Sequence, residues 1–202
     1  MDVKTALGVL AIFFEIASMA LYYLDIWRGN TKPHLYTMLV WSIMCSVAFI
    51  GTLVAGGGAG AWGTGVAAIS NLTLVPIAYW WGTKDITRSD KIFLTAALST
   101  IVVWILTKDP FWSLALTAVI DAIAMAPTIR KTWHAPESES LGSWLLSEAR
   151  SLSQIGALGV YSPTTLIYQL EILTIDAILL VVILSRRVVI RNAAVLVNEA
   201  PR

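Results

Sequence analysis

Apolar runs long enough to cross a bilayer follow one another along almost the whole chain, at roughly 5–27, 35–55, 61–82, 91–107, 111–129, 141–160 and 163–185. A helix of about 20 such residues spans the hydrocarbon core, and a helix pairs all of its backbone groups internally, as lipid requires. The spacing therefore predicts an all-α integral membrane protein with seven transmembrane helices. Composition agrees: 57% of residues are hydrophobic, 13% are charged and the mean hydropathy is +0.73. Soluble domains carry about 25% charged residues. No polar stretch is long enough for a soluble domain. Ala6–Phe14 and Ser18-Met19-Ala20 could be parts of a signal peptide. Lys4 alone precedes them, however, and apolar character continues to Ile26, which predicts a retained first span.

Charge sets the expected orientation. Lys and Arg accumulate in cytoplasmic loops. With the N-terminus outside, the inner side receives Arg28, Lys32, Lys84, Arg88, Lys91, Arg130, Lys131, Arg186, Arg187, Arg191 and Arg202, out of 14 basic residues in all. The outer side keeps Lys4 and Lys108, and Arg150 lies within the sixth run. The fourth run is short and "SEARSLSQ" interrupts the sixth, but deleting either would place the Arg-rich tail outside. The expectation is a plasma (inner) membrane protein, N-terminus out and C-terminus cytoplasmic. The outer connections "AGGGAGAWG" (55–63) and "GVYSP" (159–163) are uncharged and read as tight turns or gates.

Several function classes lack support. The net charge of +1 offers nothing to nucleic acid. Cys45 is the single cysteine, so no intramolecular disulfide exists. His34 and His134 are isolated in loops, which predicts no metal. No Ser/His/Asp set, HExxH or phosphate loop occurs, so neither an enzyme nor a cofactor is expected.

Shifting the chain by 103 positions lays Ile26 on Ile129, Arg28 on Lys131, Pro33 on Pro136 and Trp41 on Trp144. The shift also matches span one to five, two to six and three to seven. It predicts a first three-helix repeat (1–89), a linker helix (90–109), a second repeat (110–192) and a cytoplasmic tail (193–202). Equivalent spans cross in the same direction, an arrangement known among transporters. The junction "MAPTIRKTWHAPESESLGSW" (125–144) then joins the first two helices of the second repeat. Pro127 disfavours helical geometry just before it and is expected to act as a hinge, while Ser140 is placed to cap the next helix.

This junction resembles the PQ-loop signature: a Pro near a helix end, then "TIRKT", then an acidic, Ser-rich turn and a new apolar run. The signature belongs to the SWEET (MtN3-like) sugar transporters, the half-size SemiSWEETs and the cystinosin-like exporters. The 3+1+3 order is similar to the full-length SWEET layout over about 185 residues, with Thr128 in place of the motif's Gln and no Pro at Leu24-Asp25. The resemblance implies a small polar solute held by a residue of the third helix of each repeat, which the family interval places at Asn71 and Thr174. The family's pocket tryptophan has no counterpart, since Ala157 and Leu158 occupy that region. More distantly, Asn71 followed by "AYWWG" (78–82) resembles the Pnu-type vitamin transporters.

Polar groups in the spans give the candidate site. An ionisable group in mid-membrane is unfavourable and normally faces a cavity or a partner. Glu15, Ser18, Tyr22 and Asp25 share one helical face, as do Thr117, Asp121, Ala124 and Thr128. Tyr168, Glu171 and Thr174 share another. Glu148 and Arg150 point about 200° apart on one helix, so Arg150 needs an acid elsewhere, with Glu15, Glu171 and Asp176 as candidates. The expected substrate contacts are Asn71, Thr174, Glu171 and Tyr168, with Trp41 and Trp144 as candidate platforms. Glu15, Asp121, Glu148 and Arg150 form the expected proton-coupling or buried polar network. These assignments predict a transporter working by alternating access in the lipid bilayer, facilitative or proton-coupled, for a small sugar-like or similar solute. The competing expectations are a Pnu-type vitamin or nucleoside transporter and a non-transporting receptor or adaptor on the same scaffold. Self-association into a homo-oligomer is left open.

Overall fold

The computed structural model describes residues 1–29, 32–82 and 86–199, with the backbone alone at residues 127, 131, 138 and 193–199. Seven helices account for nearly all of it: α1 (Val3–Trp27), α2 (Leu35–Val54), α3 (Trp62–Trp81), α4 (Arg88–Thr107), α5 (Pro110–His134), α6 (Leu141–Ala157) and α7 (Pro163–Glu199). Short 3-10 turns lie at Gly58–Ala61 and Pro136–Ser138, and no strand is present among the described residues. Every helix but α6 is long and apolar enough to cross a membrane. The exterior carries large apolar side chains such as Phe13, Leu106, Trp80 and Val181, the coat expected of a surface solvated by lipid. Helix α6, with 17 residues, carries Glu148 and Arg150 within its apolar run.

Local chemistry sets the helix ends. Asp2 accepts the Thr5 N–H at 2.7 Å at the start of α1, and this bond holds its carboxyl below the usual carboxylate range. Thr87 and Asp90 form a reciprocal capping box on α4. Lys108, in the left-handed region at φ 56°, ends that helix. Ser140 caps α6 as the sequence predicts, accepting the Ser143 N–H. Helix α5 is longer than its predicted span and continues to His134. The Pro127 side chain, on which the hinge expectation rests, lies outside the described residues. The far turns of α5 are tied down instead: Arg186 donates to the Trp133 carbonyl at 2.9 Å and lies over the Trp133 ring. Arg187 donates to the carbonyls of Pro136 and Glu139 and pairs with Glu137 at 3.4 Å. The acidic turn after the basic segment is thus clamped by the arginines of α7, which extends past its predicted end at 185.

Packing follows one scheme. Helix α3 lies against both α1 and α2, and α7 lies against both α5 and α6. The two trios join where α1 packs on α6 and α2 packs on α5, with smaller contacts between α2 and α7 and between α3 and α6. Exchanging α1 with α5, α2 with α6 and α3 with α7 leaves this set of contacts unchanged. Helix α4 stands outside it, against α2 and α5, where Val40, Met44, Ala97 and Ile120 form one buried cluster.

Contacts also gather the loops into two ends. One end holds the start of α1, the 55–61 turn and the 158–162 turn. There the Lys4 ammonium donates to the Gly159 carbonyl at 2.9 Å, and Gly8 packs directly against Ala59. The other end holds the Arg186 and Arg187 clamp.

Candidate functional site

Six helices each place at least one polar side chain near mid-span at the interface of the trios: Glu15 from α1, Cys45 from α2, Asn71 from α3, Asp121 from α5, Arg150 from α6, and Tyr168 and Asp176 from α7. Helix geometry makes this possible, because each sits on the buried stripe of its own helix. Arg150 Nη1 lies 3.1 Å from Glu15 Oε2. Its Nη2 donates to Ser147 Oγ at 3.3 Å, and Ser147 in turn donates to Asp176 Oδ2 at 2.6 Å. Of the three acids expected for Arg150, Glu15 is the direct partner and Asp176 is reached through a hydroxyl. Asp121 lies within the fields of Arg150 and Asp176, and Glu171 within those of Asp121 and Asp176. Glu15 and Asp176 are each only 4% exposed.

The remaining predicted residues occupy several kinds of place. Asn71 is buried, and its Nδ2 donates to the Ala67 carbonyl at 2.9 Å and faces Cys45 Sγ at 4.0 Å. Tyr168 is buried against Ala48, Leu114 and Ala118 where α2 meets α5. Thr174 is exposed, and its hydroxyl donates to the Leu170 carbonyl of its own helix. Trp144 packs beside Met125, Leu179 and Ile183, and its indole N–H donates to Glu139 at 3.1 Å. Trp41 is about one-third exposed. Glu148 opens with Thr174 onto a lateral groove of about 540 Å³ between α6 and α7, bounded by Ala177 and Val181.

Two clusters fix the register between the third helices of the trios. Leu74 and Ala78 of α3 pack with Met38, Tyr22 and Ile26. Leu179 and Ile183 of α7 pack with Leu141, Met125 and Ile129. The α1 and α2 members match those of α5 and α6 at a shift of 103, whereas the α3 members match those of α7 at 105. At that register Asn71 corresponds to Asp176, not Thr174, and both are buried. Thr64 corresponds to Gln169, and both hydrogen-bond to Gln154 at 2.8 Å.

Next to the Gln154 network, one end of the centre is closed by the two glycine turns. Gly159 N–H donates to Gly57 O at 2.9 Å and Val160 N–H donates to Gly56 O at 3.0 Å. A shift of 103 converts the residue pair 56 and 160 into the pair 159 and 57, although both donors belong to the 158–162 turn and both acceptors to the 55–61 turn. Sequence reasoning marked both turns as gates but had no signal for their pairing, which is made by backbone groups. Cys45 and the Gln154–Gln169 pair were likewise not singled out as site residues, because a lone thiol and an amide within apolar runs carry no distinctive pattern. No family model, curated protein or solved structure matches the chain.

Proposed function

We propose that the chain is a membrane transporter of a small polar solute working by alternating access, built as two parallel three-helix repeats joined by α4 in the SWEET manner. The observation that carries this reading is the polar centre drawn from six helices at mid-span, beneath a seal made by the two glycine turns. A purely structural polar core would not need so many buried groups left without partners. Exchange symmetry of the helix contacts supports the repeat, and the two residue pairs of the seal correspond under the same shift.

In this reading the sealed end faces outward and the arginine-clamped end faces the cytoplasm, following the distribution of Lys and Arg. Rocking of the trios would part Gly56 and Gly57 from Gly159 and Val160, breaking two backbone hydrogen bonds that water can replace and the packing of Gly60 on Leu158. Asn71 and Asp176 are the paired contacts from the third helices, with Tyr168 and Glu171 beside them. Thr174, Trp41 and Trp144 lie further from this centre.

Reconstitution into proteoliposomes tests the reading. Solute uptake is expected from the intact chain, and Asn71→Ala or Asp176→Asn is expected to abolish it while leaving the melting temperature in detergent within about 3 °C, a shift of roughly 1 kcal/mol for a chain of this size. Saturable binding without flux would instead indicate a receptor.

A further inference from the structure

The geometry of the unpartnered groups at the centre points to a cationic solute: a small organic amine that also carries an oxygen acceptor. This rests on the transporter reading and names its substrate class. The ionisable groups at the centre are Glu15 from α1, Asp121 from α5, Arg150 from α6, and Tyr168, Glu171 and Asp176 from α7, with Glu148 of α6 on the lateral groove beside them; α2 and α3 bring Cys45 and Asn71. The one guanidinium is already matched, by Glu15 at 3.1 Å and by Asp176 through Ser147. Asp121, Glu148 and Glu171 form no ion pair among the described residues. Both carboxyl oxygens of Glu171 and Oε2 of Glu148 are buried without a hydrogen-bond partner.

A second observation is independent of the acids. Arg150 is 8% exposed and its Nε–H, within the same cluster, has no acceptor. Thr117, fully buried one turn before Asp121 on the same helical face, has an unpartnered hydroxyl. An amine seated by Asp121 and Glu171 would donate to both carboxylates and to Thr117 Oγ1, while an oxygen of the solute would accept from Arg150 Nε. A neutral polyol would satisfy hydroxyls but leave the carboxyls of Asp121 and Glu171 without a cation to pair with. An anion would meet those carboxyls instead of a counter-charge.

The experiment offers proteoliposomes of the full chain three pools of solutes at pH 7: amines (lysine, putrescine, glucosamine), neutral solutes (glucose, mannitol, uridine) and acids (glutamate, glucuronate, lactate). Internal contents are read by mass spectrometry. Uptake is expected from the amine pool, lysine ahead of putrescine because it carries the acceptor. Asp121→Asn and Glu171→Gln are each expected to lower it about tenfold or more, as loss of a charged hydrogen bond predicts, with the melting temperature in detergent preserved. Uptake from the neutral or acid pool with amines left outside overturns the cation and leaves transport standing. No uptake from any pool overturns transport and the cation with it. Amine uptake indifferent to both variants overturns the assigned counter-charges.

Discussion

Glu15 and Arg150 meet at 3.1 Å across the α1–α6 seam, while the matching positions of the α2–α5 seam, Ala118 and Val47, are apolar and buried. One seam between the trios is therefore ionic and the other is hydrophobic. Removing one member of a buried pair strands the other's charge, which costs about 3–5 kcal/mol. Arg150→Met is expected to lower the melting temperature of the purified protein steeply. Glu15→Leu combined with Arg150→Met is expected to recover most of the loss, since apolar replacement of a whole pair is tolerated. A double variant as unstable as the single one would mean that Arg150 acts through Asp176 instead.

The glycine turns make the seal sensitive to a single carbon. A Cβ on Gly159 would stand 2.5 Å from the Gly56 carbonyl oxygen, a rigid backbone atom. Gly159→Ala is therefore expected to hold the turns apart and expose the centre. Cys45, the single thiol of the chain, reports this directly. A membrane-impermeant maleimide is expected to label it faster in the variant than in the parent protein. Equal rates would show that the seal does not control access.

Gly51 of α2 and Leu114 of α5 fit as hole and knob, because a Cβ on Gly51 would overlap Leu114 Cδ1. Gly51→Ala overpacks the seam and is expected to destabilise by about 1–3 kcal/mol. Leu114→Ala alone opens a cavity and costs about 2–5 kcal/mol. Together they are expected to cost clearly less than the sum, because each relieves the other's defect. Additive losses in thermal melts would refute the contact.

Gln154 ties three helices with one amide, donating to Thr64 and Gln169. Gln154→Leu leaves the buried Gln169 carbonyl without its donor, at a cost of about 1–3 kcal/mol. Melting of the variant, beside a Gln154→Leu and Gln169→Leu double variant that removes both polar partners, checks this. The double variant is expected to be the more stable of the two.

Much of this architecture is legible in the residues. The seven apolar runs return as seven helices, and Ser140 caps α6 as its position before Leu141 suggests. The faces carrying Glu15 and Asp121 turn inward because a carboxylate on a lipid-facing surface is strongly disfavoured. The partner of Arg150 was narrowed to three acids by the same reasoning, but choosing among them needs the distances between helices. Thr174 was matched to Asn71 by counting a constant interval. In the repeat reading proposed above, the cluster around Leu179 and Ile183 pairs Asn71 with Asp176 instead, since two residues more between the 158–162 turn and the core of α7 turn that helix by about half a circle.

Hydropathy along the chain by itself determined that the protein is helical, where its long apolar helices lie and which side chains would be unfavourable in an apolar exterior, because those properties depend on transfer of local groups between water and apolar surroundings. Only the tertiary structure decided that α3 and α7 lie inside their trios, that Glu15 rather than Glu171 holds Arg150, and that two glycine turns close one end. Those outcomes depend on which faces of different helices come together, and packing between apolar helices is set by shape and pairing between segments, which no single helix encodes.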